Sequence, residues 1–294
     1  MKCPGITRCG NVEFRWGERT FVMGIINLSP DSFAGDGVTE PEAVVAQACR
    51  FVSQGADILD IGGESTRPGS SPISVAEEIK RVAPIIERLA SEVTVPLSID
   101  TGKPEVARQA LEAGATMIND EWGLKRDKRL ARLAAEKNTP LILMSNQRDK
   151  GSYDARIKRD TAFYDDVIGE VTASLRQSLE LALKLGVGRE NIILDPGIGF
   201  GKTWQQDLEI VRRLRELREL GRPILIGPSR KSFIGLALGL PANERVEGTA
   251  AATAIGVAEG ADIVRVHDVP EMVRVCRMSD AIIRSSPYQA QGKL

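Results

Sequence analysis

Histidine occurs once in the 294 residues, at His267. A single imidazole excludes the HExxH zinc arrangement and any multi-histidine metal site. Cysteine is almost as scarce: four residues, at positions 3, 9, 49 and 276, show no CxxC spacing and no dense framework. That usage fits free structural thiols in a reducing compartment. An excess of one charge is missing too, since 39 Lys and Arg against 40 Asp and Glu leave a formal charge of -1. No global field steers the chain toward nucleic acid or an anionic membrane, so an anionic ligand must be held by a local cluster. Nor is there a run approaching the ~18 apolar residues of a membrane span, or a basic-then-apolar N-terminus. A soluble cytoplasmic protein is expected.

One further absence concerns "DPGIGFGKT" at residues 195 to 203, which resembles a phosphate-holding loop at first sight. The GxxxxGK[ST] pattern requires glycine where Pro196 stands, and GxGxxG requires a third glycine where Lys202 stands. Both nucleotide readings fail, each on one residue.

What the chain has in abundance is alternation. Short Val, Ile and Leu-rich runs recur at 20 to 28, 56 to 63, 95 to 100, 116 to 120, 140 to 145, 191 to 197, 223 to 229 and 261 to 268. A polar cluster and a stretch of helical period follow most of them, which is the signature of repeated βα units. Strands apolar on both faces belong in a parallel sheet covered by helices, and eight in series predict a (β/α)₈ TIM barrel, an α/β fold. Residues 9 to 20 alternate like a short hairpin, so residues 1 to 19 are expected to cap the N-terminal mouth of a barrel spanning 20 to 284. The polar segment 285 to 294 is expected to be a flexible tail. The charged stretch 146 to 160 is expected to be a solvated loop.

Active sites of such barrels lie at the C-terminal ends of the strands. Seven of the eight strand ends carry reactive groups: Asn27; Glu64, Thr66 and Arg67; Asp100; Asn119 and Asp120; Asp195; Ser229, Arg230, Lys231 and Ser232; Arg265 and His267. Asp120 reads best as a helix cap or scaffold acceptor, and Asp60, inside its strand, as a scaffold partner. Asp100 and Asp195 each follow an apolar run, where a carboxylate without a partner is costly. A ligand presenting paired N–H donors, such as a 2-amino-pyrimidinone ring, would satisfy one in bidentate fashion. Arg265 and His267, at i and i+2, face one side of a strand and suit a phosphate. Lys231 suits an anion or a ring carbonyl.

Taken in order, "MGIINLSPDSFAGDG", "DILDIGGESTRPGS", "PLSIDT", "INDEWGL", "DPGIGFGKT", "GPSRKSFIG" and "GTAAATAIGVAEGADIVRVHDV" resemble the dihydropteroate synthase family, from Met23 to Val269. The resemblance implies condensation of (7,8-dihydropterin-6-yl)methyl diphosphate with 4-aminobenzoate, with Mg²⁺ and release of pyrophosphate, through a pterin-methyl cation. It implies pterin contacts from Asp100, Asn119, Met144, Asp195 and Lys231, and diphosphate contacts from Asn27, Arg265 and His267, with Asn27 also on the metal. Asp100, Asp195, Lys231 and Arg265 carry the catalytic roles. Asp31, Ser32, Phe33, Ser65, Thr66, Arg67 and Pro68 lie on closing loops, which with Phe200, Lys231 and Ser232 form the aminobenzoate pocket. A homodimer through outer helices is implied as well. The sequence departs from the family at Ser145 and Asn146, where Met-His is common, and at Ser29, where threonine often precedes the proline.

Two rival readings share the barrel. A methyltetrahydrofolate:corrinoid methyltransferase would use Asp100, Asn119 and Asp195 but has no use for "ESTRPG", "SRKS" or "RVHD". A non-catalytic pterin-binding protein would be expected to have lost part of the strand-end set.

Overall fold

Consecutive apolar residues with β-branched side chains make the core of every long strand, because both faces of each are covered. In the computed structural model, which describes residues 5–29, 40–65, 71–147 and 165–284, eight parallel strands form one sheet. They are β3 (Phe21–Asn27), β4 (Ile58–Gly62), β5 (Leu97–Asp100), β6 (Met117–Asp120), β7 (Leu141–Met144), β8 (Ile192–Asp195), β9 (Leu225–Ile226) and β10 (Ile263–Val266). Their spatial order is β8-β7-β6-β5-β4-β3-β10-β9. A bridge between Leu194 and Ile224 joins the two ends, so the sheet closes into a (β/α)₈ barrel. That bridge is short because Pro223 and Pro228 cannot donate to a ladder, and the run at 223 to 229 shrinks to two strand residues.

Helices α1 (Pro41–Ser53), α2 (Val75–Glu92), α3 (Pro104–Glu112), α4 (Arg129–Lys137), α5 (Val167–Lys184), α6 (Trp204–Arg212), α7 (Ser232–Leu238), α8 (Val246–Ala258) and α9 (Val269–Ile283) follow the strands. Proline opens α1 and α3, where its missing N–H is no loss. A continuous layer of buried Val, Ile, Leu and Ala lies between helices and sheet.

The N-terminal hairpin sits earlier than residues 9 to 20. Strand β1 (Ile6–Cys9) pairs antiparallel with β2 (Val12–Arg15), Ile6 opposite Arg15 and Cys9 opposite Val12, so the turn falls at the start of the stretch read as the hairpin. The alternation of Phe14 and Trp16 was visible, but their partner strand lies in residues too short to show a period of their own. Cys9, Phe14 and Trp16 are buried against Phe21, Ile58, Met117, Ile142, Ile193, Leu225 and Ile263, at the N-terminal ends of the barrel strands. Phe14 stacks on Trp16 at 5.5 Å and meets Phe21 edge-on at 4.9 Å. The Trp16 indole donates to Thr7 Oγ1 at 2.9 Å, and the Cys9 thiol to Thr116 O at 3.1 Å. Each polar tip is satisfied while the rings close the barrel floor.

Candidate functional site

At the C-terminal end the barrel interior turns from apolar to charged. Arg265, third residue of β10, donates through Nε to Asp60 Oδ2 and through Nη2 to Asp100 Oδ2, both at 2.6 Å. Asp60 is fully buried, and its Oδ2 also accepts from Asn119 Nδ2 at 3.0 Å. Asp60 is thus the scaffold partner its mid-strand position suggested, with two dependants on two different strands. Asp100 is not left waiting for a ligand, as its apolar surroundings alone implied. Arg265, read from its spacing as a phosphate ligand, is in the first instance the counter-ion of two carboxylates. The cause is tertiary: register sets Gly62 beside Asp100 and Asp100 beside Asn119, and β10 lies next to β3 in the closed ring.

Two carboxylates share one guanidinium, with Asp60 fully buried and Asp100 and Arg265 partly exposed. Burial lifts Asp100 well above the ordinary carboxylate range; Arg265 opposes the shift and Asp60 adds to it. Burial opposes ionisation of Arg265 as well, but Asp60 and Asp100 hold its proton more firmly than in water. The protein keeps a fixed positive charge on β10 with an excess of acceptor capacity around it.

Asp195, last residue of β8, is 7% exposed and accepts the Gly197 amide at 2.7 Å. Burial raises its pKa, against the attraction of Lys231 and Arg265. Lys231 lies directly before α7 and places its ammonium 4.5 Å from the Phe200 ring centroid while donating to Ile198 O. Met144 ends β7 beside Asp195 in register and is buried. His267, just past β10, shares Ser229 Oγ between its backbone amide (3.1 Å) and its Nδ1 (2.9 Å). Asn27 ends β3 opposite Gly62. Ser65 is half-buried beyond β4, and Ser232 is exposed at the first position of α7. The structure therefore brings Asp100, Asn119, Asp195, Lys231 and Arg265 to one end of one barrel. Asp31, Ser32, Phe33, Thr66, Arg67 and Pro68 lie outside the described residues.

"DPGIGFGKT" resolves into three devices. Gly197 has φ of 68°, and a Cβ there would stand 2.3 Å from Ser145 O, so only glycine fits. Lys202 donates to Ser145 O at 2.9 Å, Gly197 O at 3.0 Å and Phe200 O at 3.2 Å, tying the loop to the end of β7. Burial pulls its pKa down to about 7, with Asp207 and Asp195 opposing. Thr203 caps α6 in a reciprocal box with Gln206. The Gly-Lys-Thr run holds a loop and starts a helix.

Asp120 accepts the amides of Trp122 (2.9 Å) and Leu124 (2.6 Å), the scaffold role its position suggested. Ser145 and Asn146, where the chain departs from the family, are fully buried, and Asn146 Nδ2 donates to Glu121 O at 3.1 Å. Sequence reasoning passed over Lys103, Glu78 and Asp207. Asp207 accepts the Gly199 amide at 2.7 Å and so shapes the Phe200 turn. Only a charged residue at an inward helical position signals it in the sequence, and that is a weak sign by itself.

Comparison with known proteins gives the family. Residues 23–267 match the pterin binding enzyme family. A dihydropteroate synthase of Clostridium beijerinckii is 48% identical over 279 residues, 94% of this chain and 99% of that protein. The crystal structure of a dihydropteroate synthase from Clostridium difficile in the presence of pteroic acid superposes with a TM-score of 0.83 at 45% identity, covering 92% of this chain and 99% of that one. The Xanthomonas albilineans enzyme with 4-aminobenzoic acid gives 0.85 at 39% identity, over 96% and 98% of the two chains. The chain belongs to the pterin binding enzymes. Its activity within that family is the transferase reaction of a dihydropteroate synthase, in folate biosynthesis.

Proposed function

We propose that the charged end of the barrel binds (7,8-dihydropterin-6-yl)methyl diphosphate and 4-aminobenzoate and joins them as follows. The pterin's N–H edge is read by Asp195 and Asn119 with Asp100 beside them, Lys231 meets the ring oxygen and nitrogen, and Met144 packs on the ring. The observation that carries this reading is two strand-end carboxylates, buried Asp195 and partly buried Asp100, with positive charge close to each. Such acceptors reward a donor-rich ring and tolerate little else.

The diphosphate lies toward Asn27, Arg265 and His267. A guanidinium has five N–H donors, and Asp60 and Asp100 engage only two of its nitrogens. The bond between the pterin methylene carbon and the diphosphate oxygen breaks with its electron pair on oxygen, and pyrophosphate leaves. The resulting cation is stabilised by the carboxyl oxygens of Asp100 and Asp195, which are held in position before the reaction starts. The neutral amine of 4-aminobenzoate then forms the C–N bond and loses one proton to solvent. The segments carrying Asp31 and Phe33, and Ser65 to Pro68, with Phe200 and Ser232, hold the aminobenzoate and keep water from the cation.

Among the described residues no three His, Cys, Asp or Glu side chains converge into a metal cage. Asn27 supplies a single hard oxygen, which fits a Mg²⁺ that arrives on the diphosphate and keeps most of its ligands from phosphate and water. Bound there, the ion would neutralise charge on the departing pyrophosphate.

A cytoplasmic homodimer completes the proposal. No described helix is long and apolar enough to cross a membrane. Leu238 on α7, Ile255 on α8 and Met278 and Ile282 on α9 are each more than half exposed, on helices that neighbour one another, and support a shared apolar face. Light scattering should give twice the 31.9 kDa chain mass; the mass of one chain would overturn the dimer. Purified protein given Mg²⁺, the pterin diphosphate and 4-aminobenzoate should release pyrophosphate and yield dihydropteroate in equal amounts. Pyrophosphate release that is indifferent to aminobenzoate would sink the two-substrate reading.

A further inference from the structure

The turn that carries Lys231 is built around a residue in an unfavourable backbone conformation. Pro228 to Lys231 form a turn closed by the Lys231 amide on Pro228 O at 3.3 Å, and Arg230 within it has φ of 55°, a region that is costly for a residue with a Cβ. Such a conformation persists only where its surroundings over-determine it. The Arg230 amide donates to Thr249 Oγ1 at 3.0 Å, and Arg230 O accepts from Arg245 Nη1 at 2.9 Å. Its guanidinium forks onto Asp268, with Nε on Oδ2 at 2.9 Å and Nη2 on Oδ1. This ion pair is mostly buried, its side chains 20% and 12% exposed. Ser229 makes a second link in the same direction, since its oxygen accepts the His267 amide and meets ring Nδ1. Two consecutive residues after β9, Ser229 and Arg230, are therefore bonded to two consecutive residues after β10, His267 and Asp268.

We propose that Arg230 and Asp268 are positioning residues for the diphosphate: their ion pair locks the turn bearing Ser229 and Lys231 to the strand end bearing Arg265 and His267. This rests on the proposed binding of the diphosphate at Arg265 and His267. A Cβ at Gly227 would stand 3.8 Å from Arg265 Cβ and 3.9 Å from Lys231 Nζ, so the ends of β9 and β10 bring an ammonium and the base of a guanidinium side chain to one spot. Their spacing depends on how the two loops are held. A bidentate guanidinium–carboxylate pair fixes direction as well as distance, which the single oxygen of Ser229 does not. The cations are thereby set for an anion before it arrives, and binding it costs less ordering of the chain.

Isothermal titration with pyrophosphate and Mg²⁺, and with 6-hydroxymethyl-7,8-dihydropterin, which lacks the phosphates, tests this on Asp268→Ala, Arg230→Gly and the double variant. Asp268→Ala is expected to weaken pyrophosphate binding about tenfold, ~1.4 kcal/mol, and to lower kcat/KM for the pterin diphosphate by as much. Affinity for the phosphate-free pterin should stay within about twofold, because Asp100, Asn119 and Asp195 stand on other strands and Ile198 O also holds Lys231. Arg230→Gly keeps the turn, since glycine adopts a positive φ freely, and should match Asp268→Ala. The double variant should be no weaker than the poorer single one, since both remove one interaction. Arg230→Lys keeps the charge without the fork and should fall between; it serves if Asp268→Ala does not fold. Equal weakening of both ligands, unchanged pyrophosphate binding, or losses that add in the double variant overturn the lock. His267→Ala separates the two readings. If it weakens pyrophosphate binding and Asp268→Ala does not, only the lock fails; if neither does, the diphosphate reading of this strand end fails with it.

Discussion

The two ends of the barrel are built on opposite rules. At the N-terminal end the strands begin with Phe21, Ile58, Met117 and Ile263, and the hairpin's Cys9, Phe14 and Trp16 cover them. The hairpin's own buried polar atoms are neutral, and Trp16, Thr7 and Cys9 each find a partner; the buried carboxylates beside it, Asp262 and Asp280, are paired with Arg218 and Arg284. At the other end, in the same strands, Asp60, Asp100, Asn119, Asp195 and Arg265 replace the hydrocarbon. One Asp60 oxygen there has no hydrogen bond at all. The floor is what a barrel needs to be stable; the mouth keeps buried charge at a cost to stability, and that cost is what makes it selective. A mutation at the floor should therefore change stability and leave chemistry alone, and one at the mouth should do the reverse, except where a residue serves both ends of that bargain.

Arg265 is that exception, and its loss should have the largest effect. Arg265→Ala leaves fully buried Asp60 and partly buried Asp100 without their cation, which should cost about 3–5 kcal/mol of stability and abolish measurable turnover. Chemical denaturation with kinetics checks both, and an inactive variant of unchanged stability would show that the carboxylates do not depend on it. Lys231→Ala should be purer: kcat/KM falls on the order of 10²-fold while the thermal midpoint barely moves. Phe14→Ala inverts the pattern, with a loss of about 3–5 kcal/mol and near-normal kinetics for the fraction that stays folded at low temperature. If Phe14→Ala lowered kcat in the folded protein, the two ends would be coupled and the contrast would break.

The smallest effect is a pH dependence. Asp195 must be ionised to accept two ring donors, and burial raises its pKa from the ordinary 3.8. Pterin affinity should therefore be full at neutral pH and fall as pH drops through that raised value. Titration of pterin binding by fluorescence would show the acidic limb; a limb at or below 3.8 contradicts the burial account.

Much of the site was legible because strand ends are legible. Asp100, Asn119, Asp195, Lys231, Arg265 and His267 each follow an apolar run at the position where barrels do chemistry, and register needs no more than that to bring them to one end. Pairing was not legible. Nothing local says that Arg265 meets Asp60 across more than 200 residues, or that Lys103 reaches back to Glu64 and Glu78. Lys202 shows the limit from the other side: a local pattern suggested phosphate, and three carbonyl oxygens claimed the ammonium instead. The hairpin was found but misplaced, because two four-residue strands carry too little periodic signal to set its bounds.

By itself the sequence determined the order of eight βα units, the family, and the end of the barrel at which charge collects, since period and strand polarity are properties of neighbouring residues. Only the closed barrel decided which charges face each other. Closure sets β10 against β3 and puts Asp60 and Asp100 within 2.6 Å of Arg265, and in that dry interior each group's ionisation depends on partners that chain position does not reveal.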